Sequence, residues 1–276
     1  MGRRSGRHSV SLVSISVQGV SQRTDWRLKK LILTCTLNAT IMNGYRNHIL
    51  TELPERESRL LAPHLKPCVL TKDAVLYEGG QRIKQVYFPE EAMISCLTET
   101  ADGESIEVCV VGNEGIVGIT SLFDSVTAFH AVVQIPGRAY SVSCDFLQTE
   151  FGRCDVVHRV VMRYTNTLLL QFSQTAVCNK FHSVEERFCR WLLTAQDKTT
   201  IDSIPMTHDA LARVLGTRRA SISGAAAAFQ RNGAIRCERG TISILDRKLL
   251  EANTCECYEV IATAYGSPPT RRPVTV

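Results

Sequence analysis

Four arginines, Arg218, Arg219, Arg236 and Arg239, stand near the end of the sequence with four hydroxyl residues, Thr207, Thr217, Ser221 and Ser223. A guanidinium fork fits the N7/O6 edge of guanine or a phosphate, and side-chain hydroxyls donate to phosphate oxygens. The chemistry this set offers is recognition of double-stranded DNA. Nearby, His208 and Asp209 are an acid–base pair with no third group to orient them. The sequence has no P-loop, nucleophile elbow or run of metal ligands, so no enzymatic activity is expected.

The 11 cysteines offer a second chemistry. No C-x-x-C pair occurs, and scattered single thiols fit a reducing cytoplasm rather than a disulfide scaffold. Cys255-x-Cys257 is the only close pair. It reads as two thiols on one amphipathic helix, because a metal site needs more ligands than two. Neither a metal nor a cofactor is expected.

The arginines need elements to present them. Thr207 is a good N-cap for a helix through Leu215, and Gly216 supplies the left-handed turn that stops it. A second helix begins near Arg218 and runs to Arg231. Two short helices about a glycine turn form a helix-turn-helix, whose second helix meets base edges with its N-terminal residues. Ala234–Leu245 then reads as two short strands about Arg239-Gly240. That hairpin makes the motif winged and adds Arg236 and Arg239.

Upstream, residues 154–180 read as one long helix. Val157, Val161, Tyr164, Leu168, Gln171 and Thr175 recur at three- and four-residue steps. A stripe that mixes apolar and polar residues suits a two-chain seam, so these six are the expected homodimer contacts. Before the helix, Cys68–Ser143 breaks into short β-rich runs with turn residues between them. Met93–Thr98 should pair with Ile106–Val111 across Asp102-Gly103, and Ala131–Ile135 with Arg138–Val142 across Pro136-Gly137. Strands at this spacing form a small barrel or jelly roll. Residues 43–53 and a segment from Pro54 read as two short helices.

In this order the segments resemble the Crp/Fnr-type bacterial transcription regulators. The likeness runs from about Met42 to Tyr265. Its markers are Ala74–Gly80, Val86-Tyr-Phe-Pro89, Gly115-Ile-Val-Gly118 and Leu211–Arg219, with Thr175–Asn179, Glu186–Leu193 and Cys255–Tyr258 marking a subgroup. The resemblance implies an α+β protein. A cupin-like β-roll of the cyclic-nucleotide-binding type spans 42–150 and a dimerisation helix 151–181. A winged helix-turn-helix at 182–248 and a C-terminal helix and tail at 249–276 complete the chain. The partners implied are a palindromic DNA operator, a second copy of the chain, RNA polymerase and an unidentified small-molecule effector, with no membrane. A different class, a ligand-binding or scaffold module whose winged helix contacts protein, uses the same elements.

The sequence departs from the cyclic-nucleotide-binding members at their phosphate cassette. There the family carries a glutamate for the ribose hydroxyl and an arginine for the cyclic phosphate. Here the first element is Gly115–Gly118 without the acid, and the second is Phe129-His130-Ala131 without the arginine. Neutral His130 replaces a charge poorly. The loop is therefore expected to persist as structure, without control by cyclic AMP. The Fnr-like N-terminal cluster of cysteines is also missing. In the recognition helix Ala220 and Gly224 stand where the family carries an acid and an arginine, which implies a different operator. Gly224 inside a helix suggests close approach to DNA or to the first helix.

The charge distribution agrees with this division. Residues 1–41 carry 7 basic and 1 acidic residues, 42–182 carry 12 and 16, and 183–276 carry 13 and 10. The last part is mildly basic, as a DNA-facing segment should be. Hydrophobic residues make up 44% of the chain, but no run approaches the roughly 20 apolar residues of a transmembrane helix. Residues 1–41 show no sustained period and are expected to stay outside the fold, as an Arg/Ser-rich transit peptide, a leader with a short signal-like run at Leu31–Leu37 or, the favoured reading, a stretch before a true start at Met42.

Overall fold

One central strand, buried on both faces along its first half, joins two hydrophobic cores. The computed structural model describes residues 44–123 and 126–266; the expectation for residues 1–41 falls outside them. Two short helices, α1 (His48–Glu52) and α2 (Glu55–Leu61), lead in. The helix expected over 43–53 is thus only one turn long. Asn47 caps it and also donates from Nδ2 to the carbonyls of Pro89 and Gly115, both at 2.9 Å.

Seven strands follow: β1 (Lys66–Leu70), β2 (Val75–Tyr77), β3 (Gln85–Pro89), β4 (Met93–Glu99), β5 (Ser105–Val111), β6 (His130–Ile135) and β7 (Gly137–Ser143). They form two sheets, ordered β1-β7-β3 and β2-β6-β4-β5. The β4–β5 hairpin is as expected, closed through Gly103 at φ +81°. The expected pairing of the 131–135 strand with 138–142 does not form. β6 pairs with β2 and β4, whereas β7 pairs with β1 and β3. Pro136 donates no hydrogen bond, and here the chain crosses from one sheet to the other instead of turning back.

Along β4, Met93, Ile94, Ser95 and Cys96 are all buried. Ile94 and Cys96 join the roll interior with Cys109, Val111, Ala131 and Val133. Met93, Val110 and Ile135 join the second core instead. A strand covered on both faces loses its polar alternation.

Helix α3 (Cys144–Arg153), which the sequence pattern does not separate, precedes α4 (Asp155–Phe181). The 27 residues of α4 span about 40 Å. Helix α5 (Val184–Thr199) starts with a capping box between Ser183 and Glu186. Then come β8 (Ser203–Ile204), α6 (His208–Val214), α7 (Arg219–Arg231), β9 (Ile235–Glu238), β10 (Thr241–Ile244), α8 (Arg247–Asn253) and α9 (Glu256–Ala264). The second core gathers Phe188, Trp191, Leu192, Leu211, Ile222, Phe229 and Ile242 around this C-terminal part. Among the described residues no helix is long and apolar enough to cross a membrane.

Candidate nucleic-acid interface

Helices α6 and α7 meet through the Leu215–Arg218 turn, with Gly216 at φ +55°. Thr207 caps α6 by accepting from the Ala210 amide at 3.1 Å. Arg187, a buried residue of α5, donates to the Leu215 carbonyl that α6 leaves without a helical partner. Phe188 and Phe229 stack with ring centroids 5.8 Å apart, which fixes α7 against α5. Burial of Ile222, Ala225, Ala226 and Phe229 turns the opposite face of α7 outward.

That outward face carries the expected arginines. Arg218 is the N-cap of α7 and Arg219 its first residue, and both are exposed. Arg219 Nε lies 3.3 Å from Asp209 Oδ1, with both side chains more than half exposed. Such a pair holds little energy and can exchange for a stronger acceptor. Ser221 is half-buried. Ser223 is engaged with His208, Oγ to Nδ1 at 3.1 Å, and His208 thereby has a structural partner. Thr217 is half-buried in the turn, its amide donating to the Ala212 carbonyl.

The hairpin is also present. β9 and β10 pair in register, with β8 as a third strand. Arg239 and Gly240 form the turn at φ +45° and +78°; positive φ at both central residues is the tight turn that matches strand twist. Arg236 and Arg239 are exposed. Arg236 Nε has Glu238 at 3.7 Å. Gly224 is exposed, and a Cβ built there meets nothing within 4 Å. Contact with the first helix is therefore not the reason for this glycine.

The cassette residues pack as structure. A Cβ on Gly115 would lie 2.2 Å from Tyr164 Oη, so only glycine lets α4 approach the loop. Gly118 adopts φ +94°, and its Cβ would stand 2.7 Å from Tyr77 Oη. Phe129 packs towards Phe172 of α4, with ring centroids 6.4 Å apart. His130 Nε2 faces the Glu99 carboxylate at 3.5 Å.

The expected dimer stripe needs correcting. Val161, Tyr164, Leu168, Gln171 and Thr175 are buried within this chain, and Val157 is partly buried. Gln171 Nε2 donates to the Val110 carbonyl of β5 at 3.3 Å, and Gln171 Oε1 accepts from Tyr265 Oη at 2.9 Å. The periodic stripe is the face that packs on the roll and on the C-terminal segment, and its polar members bond to both. The open apolar residues of α4 are Met162, Leu169, Val177 and Phe181, at 42, 58, 40 and 75% exposure. Steps of seven, eight and four place them along one side of the helix.

The structure also gathers residues that sequence spacing kept apart. Cys178, His182, Cys255 and Cys257 bring their ligand atoms within 4.8 Å of one another. Hydrogen bonds from Cys255 and Cys257 hold the Cys178 thiol below its ordinary value. Two further potential ligand atoms thus stand beside the Cys255-x-Cys257 pair. The signal available in the sequence was the short step from Cys178, in the last turn of α4, to His182, the extended residue that ends it. A separation of 77 residues from Cys178 to Cys255 hid the rest.

A β-roll, a long helix and a C-terminal winged helix-turn-helix together define the fold of the Crp/Fnr transcription regulators. Residues 186–253 match the family model of the Crp-like helix-turn-helix domain. Three solved structures share the fold over about two thirds of this chain. FixK2 from Bradyrhizobium japonicum aligns with a TM-score of 0.60 at 16% identity, over 69% of this chain and 98% of that one. A CRP-family transcriptional regulator from Thermus thermophilus gives 0.55 at 18%, over 67% and 95%. A second regulator from that organism, of the CRP/FNR family, gives 0.53 at 18%, over 70% and 98%. No curated protein matches in sequence.

Proposed function

We propose that this chain is a sequence-specific, DNA-binding transcription regulator that works as a homodimer and does not respond to cyclic AMP. The observation that carries the reading is the exposed end of α7. Arg218 and Arg219 stand there beside a wing that offers Arg236 and Arg239, on a domain of Crp-like type. In a helix-turn-helix this end enters the major groove, while flanking cations hold phosphate. The open stripe of Met162, Leu169, Val177 and Phe181 supports dimerisation, because a second copy would cover it. The pairing of His130 with Glu99 supports the absence of cyclic-nucleotide control. The Glu99 carboxylate beside His130 would repel a phosphate there.

Selection from a random duplex library tests this. A pair of inverted half-sites about one duplex turn apart should be enriched. Affinity for them should fall steeply with salt and stay unchanged by cyclic AMP. A protein that enriches no sequence, and whose DNA binding ignores salt, is instead a winged helix that contacts protein.

A further inference from the structure

Where α4 ends and α5 begins, three buried thiols form a hydrophobic cluster of their own, separate from both cores. Cys178 and Cys257 are 0% exposed and Cys255 is 3%. Buried thiols ordinarily pack as small apolar groups in a larger core. These three face one another and an imidazole. Cys178 Sγ lies 3.5 Å from Cys255 Sγ, and Cys257 Sγ lies 3.6 Å from His182 Nδ1. With bonds of about 2.3 Å to sulfur and about 2.1 Å to nitrogen, a tetrahedral zinc ion spaces its ligand atoms by roughly 3.5–3.8 Å. An iron–sulfur cube would hold its cysteines wider apart.

Two neighbours fit such an ion. His182 turns Nδ1 to the thiols and has the Glu256 carboxylate 3.2 Å from Nε2. A carboxylate on the far nitrogen orients an imidazole that ligates through the near one. Arg190 is 5% exposed, its charge acts on Cys178 and Cys255, and its Nε has no hydrogen-bond partner among the described residues. A divalent ion on three thiolates leaves one net negative charge, which a buried guanidinium offsets.

We propose that Cys178, His182, Cys255 and Cys257 form a Cys3His zinc site. Binding replaces three thiol protons with one Zn2+ and leaves no open coordination position. The site joins three elements: the end of the long helix, the first turn of α9, and through His182 the start of α5. That junction is where α4 hands over to the DNA-binding domain, so the metal fixes the hinge between them.

The test uses the full chain, purified under reducing conditions, and its readout does not depend on DNA binding. Elemental analysis should find about one zinc per chain. Cobalt in its place should show thiolate charge-transfer bands and tetrahedral d–d bands. Cys255→Ser and Cys257→Ser should lose the metal, whereas Cys68→Ser, on β1 outside the cluster, should keep it. If the ligand variants do not fold, cobalt titration of the unaltered chain decides alone. A chain that takes up no stoichiometric metal overturns the proposal. So does stoichiometric iron, or a Cys178–Cys255 disulfide recovered from protein kept reduced.

Discussion

Lys198 of α5 and Glu114 of the cassette loop form an ion pair in which each side chain is only 6% exposed. The Glu114 carboxylate also accepts from the Gly112 amide, and Lys198 Nζ lies 4.3 Å from the centre of the Tyr265 ring. The pair ties the cassette loop of the roll to the winged-helix domain and to the C-terminal segment. Breaking a buried pair strands a charge and costs about 3–5 kcal/mol, whereas removing both partners costs far less. Glu114→Gln should therefore lower stability by about that amount in denaturant unfolding, and Glu114→Gln with Lys198→Met should recover most of it. Additive losses would show that the two residues do not act as a pair.

Glu107 gives the same interface a pH dependence. Burial pushes its carboxyl up to about 7, against a hydrogen bond from Ser95, the charges of Arg190 and Lys198 and the Trp191 indole. Below the ordinary carboxylate range both folded and unfolded forms hold the proton, and burial of the neutral acid costs nothing extra. Between about pH 4.5 and 7 the unfolded chain gives up the proton while the folded protein keeps it, so stability falls by about 3 kcal/mol in total and levels off above 7. The melting temperature should drop between about pH 4.5 and 7, and Glu107→Gln should reduce that drop. An unchanged profile in the variant would contradict the assignment.

Gly224 stands open in the middle of α7. Gly224→Ala should stabilise the free protein by about 1 kcal/mol. Weaker binding to the selected operator in the same variant would locate the reason for glycine at the DNA. A loss of thermal stability would contradict the open geometry.

Leu169 lies on the open side of α4 at 58% exposure. Leu169→Glu should leave the monomer folded and shift sedimentation from dimer to monomer, because a buried like-charge pair at a two-fold seam is strongly disfavoured. An unchanged dimer would place the interface elsewhere.

The winged helix was legible because its signals are local. Thr207, Gly216 and Arg239-Gly240 each dictate a cap or turn within a few residues. The β4–β5 hairpin was legible for the same reason. What the sequence hid was which partner an element meets. Ala131–Ile135 and Arg138–Val142 flank a Pro-Gly step, which suits a hairpin and a sheet crossing alike. The Val161–Thr175 stripe shows only that one helix face is covered, and the cover is the roll together with the C-terminal segment. The exposed run of Met162, Leu169, Val177 and Phe181 carried the complementary message. The thiol cluster was invisible because its halves come from helices distant in the chain.

Binding of Arg219→Ala and Arg239→Ala to the selected operator and to random duplex, across a range of salt, tests the central claim most directly. Arg219 begins α7, where a long side chain reaches base edges, while Arg239 sits at the tip of the wing. Arg219→Ala should cost about 1–3 kcal/mol on the operator, spare random DNA, and relax one position in each half-site. Arg239→Ala should weaken both duplexes alike and lower the salt slope by about one unit. Equal weakening of operator and random DNA by Arg219→Ala would contradict base reading at α7, and no effect of either variant would contradict DNA recognition by this face.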